Sequence, residues 1–103
     1  MIGDLFSKLQ EARTKIEESK KKLNTLIVEM ESENRGVSVK ANANKFVTSI
    51  EFQDSFLKET PKDKIEEIVL ETINKALEEA ARKGEIEIKE ITKDMLPNFP
   101  GLV

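Results

Sequence analysis

Apolar and polar positions alternate with a period of two in only one part of the chain, and with a helical period on both sides of it. Three short runs rich in β-branched and apolar residues, Leu26 to Glu31, Val37 to Ala41 and Phe46 to Phe52, are separated by two polar stretches, Ser32-Glu33-Asn34-Arg35-Gly36 and Asn42-Ala43-Asn44-Lys45. This punctuation predicts two hairpins. Val37, Val39 and Ala41 alternate with Ser38, Lys40 and Asn42, and Thr48, Ile50 and Phe52 alternate with Val47, Ser49 and Glu51, so each strand shows one face to a core. Met30 closes the buried face of the first strand. The expected sheet is antiparallel, three-stranded and half buried, and a sheet that small needs cover for its apolar face and its two edges.

Helical periodicity supplies the cover. From Asp4 to about Leu23 the apolar and small positions are Leu5, Leu9, Ala12, Ile16, Ser19 and Leu23, at steps of 4, 3, 4, 3 and 4. That narrow seam suits another helix better than a sheet. Glu11 to Lys15, Glu17 to Lys21 and Glu18 to Lys22 stand in the favourable Glu-before-Lys order, which predicts a first helix whose basic charge is mostly matched along its own surface. After Phe52, Phe56 and Leu57 are expected to tuck against the sheet edge. Thr60-Pro61-Lys62-Asp63 has the form of a capping box, with Thr60 as N-cap, Pro61 at N1 and Asp63 at N3. The helix that follows presents a wide face, Ile65, Ile68, Val69, Thr72, Ile73, Ala76, Leu77, Ala80 and Ala81, fit to cover a sheet.

Gly84 admits two readings. It either ends this helix, with a strand from Glu85 to Ile91, or stands inside a helix whose face continues through Ile88, Ile91 and Met95. The retained spacing favours continuation. Pro97 and Pro100 exclude regular helix in the apolar tail that follows. The chain thus reads as one domain, 1–103, of α+β class and α-β-β-β-α order: a helix over 1–25, a three-stranded antiparallel sheet within 26–57, a helix over 60–94 and a Pro-rich tail over 95–103, in two layers.

Composition narrows the function. The 103 residues include no Cys, His or Trp, which excludes thiolate nucleophiles, disulfides, imidazole bases and Cys/His zinc sites. No phosphate-cradling glycine loop or EF-hand spacing is present, and adjacent pairs such as Glu66-Glu67 and Glu78-Glu79 diverge on a helix. We therefore expect no enzyme, cofactor, metal or small-molecule substrate. The amino terminus lacks the apolar run of a signal peptide and no segment is apolar enough to span a bilayer, so a cytoplasmic protein without membrane contact is expected. The 17 basic and 20 acidic residues give a net charge of −3. Only the first helix is net positive, with six basic and four acidic residues over 1–25. The chain as a whole shows no broad cationic footprint of the kind that counterion release favours in nucleic-acid binders.

The order of elements, the hairpin string from Val37 to Phe52, the segment Ala76-Leu77-Glu78-Glu79-Ala80-Ala81-Arg82-Lys83 and the tail Met95-Leu96-Pro97-Asn98-Phe99-Pro100-Gly101 together resemble the YbaB/EbfC family of bacterial nucleoid-associated proteins. Three positions depart from the family's usual pattern: Ala43 and Asn98 stand where Gly is usual, and Gln53 where Asp is usual. The resemblance implies an α-β(3)-α fold, a tight tweezers-shaped homodimer in the nucleoid, binding to double-stranded DNA with weak sequence preference, and no enzymatic activity.

Under that reading the expected DNA contacts are Arg13, Lys20, Lys21 and Lys22, with Arg82 and Lys83 as secondary contacts, all to phosphate. Arg13 and Lys20 lie seven residues apart on one helix face. The expected dimer interface and core include Leu9, Ile16, Val39, Ile50 and Phe52. The alternative is a protein-interaction or structural homodimer without DNA, using the first helix's seam or the Pro-rich tail.

Overall fold

The computed structural model describes residues 2–95. Its elements in chain order are α1 (Ile2–Thr25), β1 (Ile27–Glu31), β2 (Val37–Asn42), β3 (Val47–Phe52), α2 (Asp54–Glu59) and α3 (Lys62–Met95). The Pro-rich tail beyond Met95 lies outside the described residues. The three strands form one antiparallel sheet in the order β1-β2-β3.

Register follows from the alternation. Val28 and Met30 stand opposite Ala41 and Val39, and Val39 and Val37 stand opposite Ile50 and Phe52, so these side chains share one face of the sheet. An irregularity at Lys40/Ala41 puts Val47, and not the expected Thr48, opposite Ala41. The extra residue on β3 is a β-bulge, which breaks the strict period of two that the sequence suggests.

α3 lies across β1 and β2 and barely reaches β3. Val28, Val37, Val39, Ala41, Phe56, Ala76 and Ala80 form the buried core, flanked by Met30, Ile65, Ile68, Val69, Ile73 and Leu77. Ala76 and Ala80 have no exposed surface, because their small side chains let the helix axis approach the sheet. Thr72 is buried on the same face, and its hydroxyl donates to the Ile68 carbonyl at 2.7 Å. The consequence of α3's placement is that β3 keeps an apolar side left uncovered by the described residues.

Helix α3 runs unbroken through Gly84, where a Cβ would stand 2.7 Å from the Ala43 carbonyl oxygen. The glycine lets the helix lean on the β2–β3 turn.

Two local expectations are corrected. Residues 54–59 form the short helix α2, which buries Phe56 in the core but leaves Leu57 exposed. Phe56 sits directly over Gly36, where a Cβ would come within 2.3 Å of its ring. Thr60, expected as the N-cap of the long helix, instead closes α2, its N–H donating to the Phe56 carbonyl at 3.1 Å. Its hydroxyl enters no hydrogen bond among the described residues, and the first bond of α3 runs from the Ile65 N–H to the Pro61 carbonyl at 3.0 Å. The helix starts one residue later than the capping box requires: α3 begins at Lys62 and its first bond is accepted by the Pro61 carbonyl, so Pro61 and not Thr60 stands at the N-cap position.

α1 and the distal half of α3 leave the sheet from one corner as an antiparallel pair. The radius of gyration of 19.5 Å exceeds the roughly 13 Å of a compact domain of this length, because this arm projects from the body.

Candidate nucleic-acid interface

The arm is anchored by backbone and asparagine chemistry at the β2–β3 turn. The Ala43 N–H donates to the carbonyls of Leu23 and Leu26, at 3.1 and 2.9 Å, which pins the end of α1 to the turn. The buried Asn42 accepts at Oδ1 from the N–H groups of Asn44 and Phe46, at 2.9 and 3.2 Å. Lys45 takes the left-handed conformation that the turn requires, at φ 68°. Asn44 then donates from Nδ2 to the Lys20 carbonyl at 2.9 Å and to Asn24 Oδ1. These bonds fix the last two turns of α1, and with them the direction in which Lys20, Lys21 and Lys22 project.

Lys22 reaches across to α3, its Nζ 2.5 Å from Glu87 Oε1. The lysine is more than half exposed and the glutamate mostly covered, at 58% and 19%. Below this bridge, Ile16, Ser19, Lys20 and Leu23 face Ile88, Ile91 and Thr92 across a narrow apolar cleft of about 130 Å³. Part of the first-helix seam is therefore used within the chain: Leu23 is buried and Ile16 remains half exposed.

The expected self-pairing of α1 does not form. Among the described residues no ion pair joins Glu11 to Lys15, Glu17 to Lys21 or Glu18 to Lys22; the recorded pairs are Lys22–Glu87, Lys40–Glu29, Lys64–Glu67 and Arg82–Glu79. Exposed pairs along a helix gain only a few tenths of a kcal/mol, too little to hold Lys22 against a partly covered partner on α3.

The predicted cations are thereby sorted. Arg13, Lys20 and Lys21 are exposed on α1 and enter no ion pair among the described residues. Lys22 is committed to Glu87, and Arg82 to Glu79 at 3.0 Å. Lys83 is exposed one helical turn before Glu87, so the Lys22–Glu87 bridge brings it to the same side of the arm as the lysine run. Arg13 stands further out on α1, beside Phe6, Leu9 and Gln10.

Of the residues expected at the interface and core, Val39 is fully buried within the chain, while Leu9, Ile16, Ile50 and Phe52 remain 54%, 49%, 41% and 40% exposed. The residues that sequence reasoning missed are Asn24, Asn44 and Glu87, which hold the end of α1 and Lys22 in place. The signal for the first two was the asparagine spacing at a helix end and a hairpin turn; Glu87 carried none. No group of three or more His, Cys, Asp or Glu suited to a metal ion occurs among the described residues, and no described helix is long and apolar enough to cross a membrane.

The sequence model of the YbaB/EbfC DNA-binding family matches residues 1–95. The chain is 32% identical over 98 residues to a nucleoid-associated protein of Flavobacterium johnsoniae, covering 95% of this chain and 91% of that one. It is 31% identical over 93 residues to a nucleoid-associated protein of Pseudothermotoga lettingae, with 90% and 78% covered. A nucleoid-associated protein of Chlorobaculum tepidum is 28% identical over 95 residues, with 92% and 84% covered. Among solved structures, an uncharacterized protein from Helicobacter pylori superimposes with a TM-score of 0.59 at 19% identity, over 85% of this chain and 98% of that one.

Proposed function

Because the chain belongs to the YbaB/EbfC DNA-binding family, we propose that it acts as a nucleoid-associated homodimer that binds double-stranded DNA through phosphate, with weak sequence preference. The observation that carries this reading is the state of α1: Arg13, Lys20 and Lys21 are exposed and have no ion-pair partner among the described residues, on a helix whose end is locked to the sheet. Unpaired, oriented cations neutralise phosphates at little reorganisation cost, and contacts to phosphate carry no base information. Lys83 extends the patch from α3, and Lys22 and Arg82 add to its field while tied to Glu87 and Glu79.

The dimer is supported by β3. Among the described residues this strand is an unpaired edge, and Val47, Ile50 and Phe52 along it are 38%, 41% and 40% exposed on a sheet face whose other strands are covered by α3. A second copy buries this surface symmetrically. It also brings two basic arms onto one duplex, which concentrates local positive charge there although each chain keeps its net charge of −3. The assembly would reside in the cytoplasm, in the nucleoid.

Replacing Lys20 and Lys21 together by Glu tests the assignment. The variant should lose the mobility shift of a random-sequence duplex at low salt and keep its melting curve; a parent-like shift would overturn it. A second reading, an interaction module without DNA, draws on the exposed apolar residues Leu5, Phe6 and Leu9 of α1.

A further inference from the structure

One cation of the basic run already has an anion. Lys20, Lys21 and Lys22 follow one another near the end of α1, yet it is Lys22 that crosses to α3, where its Nζ stands 2.5 Å from Glu87 Oε1. Glu87 is the covered member of the pair, at 19% exposure against 58% for the lysine. A carboxylate with little water of its own depends more strongly on a protein cation than an exposed one does. The Arg82–Glu79 pair is different. It lies along one helix at 3.0 Å, and both groups are more open, at 66% and 39%. Exposed pairs of that kind are screened by salt and hold their members weakly.

The bridge is not what locks α1 to the body. That is done by the Ala43 N–H on the Leu23 and Leu26 carbonyls, and by Asn44 Nδ2 on the Lys20 carbonyl and Asn24 Oδ1. None of these bonds uses the Lys22 side chain, which can therefore leave Glu87 on its flexible four-carbon stem without releasing the helix. Its departure strands a partly covered carboxylate, and this opposes the exchange. A DNA phosphate offers Lys22 the same kind of charge-assisted hydrogen bond that Glu87 does, so the two anions compete for one ammonium.

We propose that Glu87 is an affinity-setting residue of the DNA interface: it withholds Lys22 from phosphate and keeps the affinity of the dimer below what its cations allow. This rests on the DNA-binding reading above and concerns the regulation of that same surface. A prop and a competitor predict opposite signs. If Glu87 only steadied α1, its loss would loosen the arm and weaken binding. As a competitor, its loss frees one lysine per chain, two per dimer, and strengthens binding.

The test is a titration of the full chain with a random-sequence duplex at a series of salt concentrations. Glu87→Gln keeps the shape of the side chain and removes its charge. Glu90→Gln is the matched control, since Glu90 is exposed about one turn further along α3 and enters no ion pair among the described residues. Glu87→Gln should tighten binding at low salt and steepen the slope of log K against log salt by about two, from two added phosphate contacts at about 0.9 each. Glu90→Gln should leave the slope at the parent value. In a Lys22→Gln background, adding Glu87→Gln should gain nothing over Lys22→Gln alone. A slope unmoved or flattened by Glu87→Gln, an equal steepening by Glu90→Gln, or a gain that persists without Lys22 would overturn the proposal and leave the DNA-binding reading standing. A parent protein that binds no duplex at any salt concentration would overturn both.

Discussion

Gly84 of α3 lies so close to Ala43 in the β2–β3 turn that a Cβ on the glycine would stand 2.7 Å from the Ala43 carbonyl oxygen. Two effects oppose each other when Gly84 is replaced by Ala. Helix propensity favours alanine by about 1 kcal/mol. The clash is with backbone, which cannot swing aside, and forcing a methyl into close packing costs about 1–3 kcal/mol. The clash is expected to win. Gly84→Ala should lower the melting midpoint, and a rise would show that α3 can lift off the turn freely.

The same turn depends on Asn42. Its Oδ1 serves the N–H groups of both Asn44 and Phe46, and the residue is 8% exposed. Asn42→Ala removes that acceptor from two backbone donors, so a loss of about 1–3 kcal/mol is expected by denaturant titration. An unchanged midpoint would mean that water or a shifted turn satisfies both groups.

Assembly is tested on β3. Ile50 and Phe52 pair with the buried Val39 and Val37 yet are about two-fifths exposed, because α3 stops short of them. Ile50→Asp should convert a dimer into monomer or aggregate in sedimentation at micromolar concentration. A parent protein that sediments as a stable folded monomer under those conditions would contradict the dimer.

Much of the fold was legible because its signals are local. Strand alternation placed Val37, Val39, Ile50 and Phe52 on one face, and the spacing of Ile88 and Ile91 carried the long helix past Gly84. Helix α2 was hidden because six residues give no periodic stripe, and Phe56 reveals its purpose only when Gly36 lies beneath it. The Thr60 capping box read correctly as a sequence pattern but failed in space, since α3 starts one residue later, on the Pro61 carbonyl, while the Thr60 N–H closes α2. For the basic run, the sequence supplied the residues but not their state. The i,i+4 order pointed to lysines matched along α1, whereas Lys22 crosses to Glu87, 65 residues away in sequence. Long-range competition of that kind leaves no periodic trace.

The most direct measurement of the central claim is the affinity of the purified protein for a random-sequence duplex across a series of salt concentrations. If Arg13, Lys20 and Lys21 from both copies meet phosphates, about six contacts are made. The logarithm of the binding constant should then fall linearly with that of salt concentration, at a slope near about −5. Lys20→Glu with Lys21→Glu should flatten the slope and weaken every sequence alike. No binding even at low ionic strength, or a slope indifferent to those two substitutions, would contradict the account.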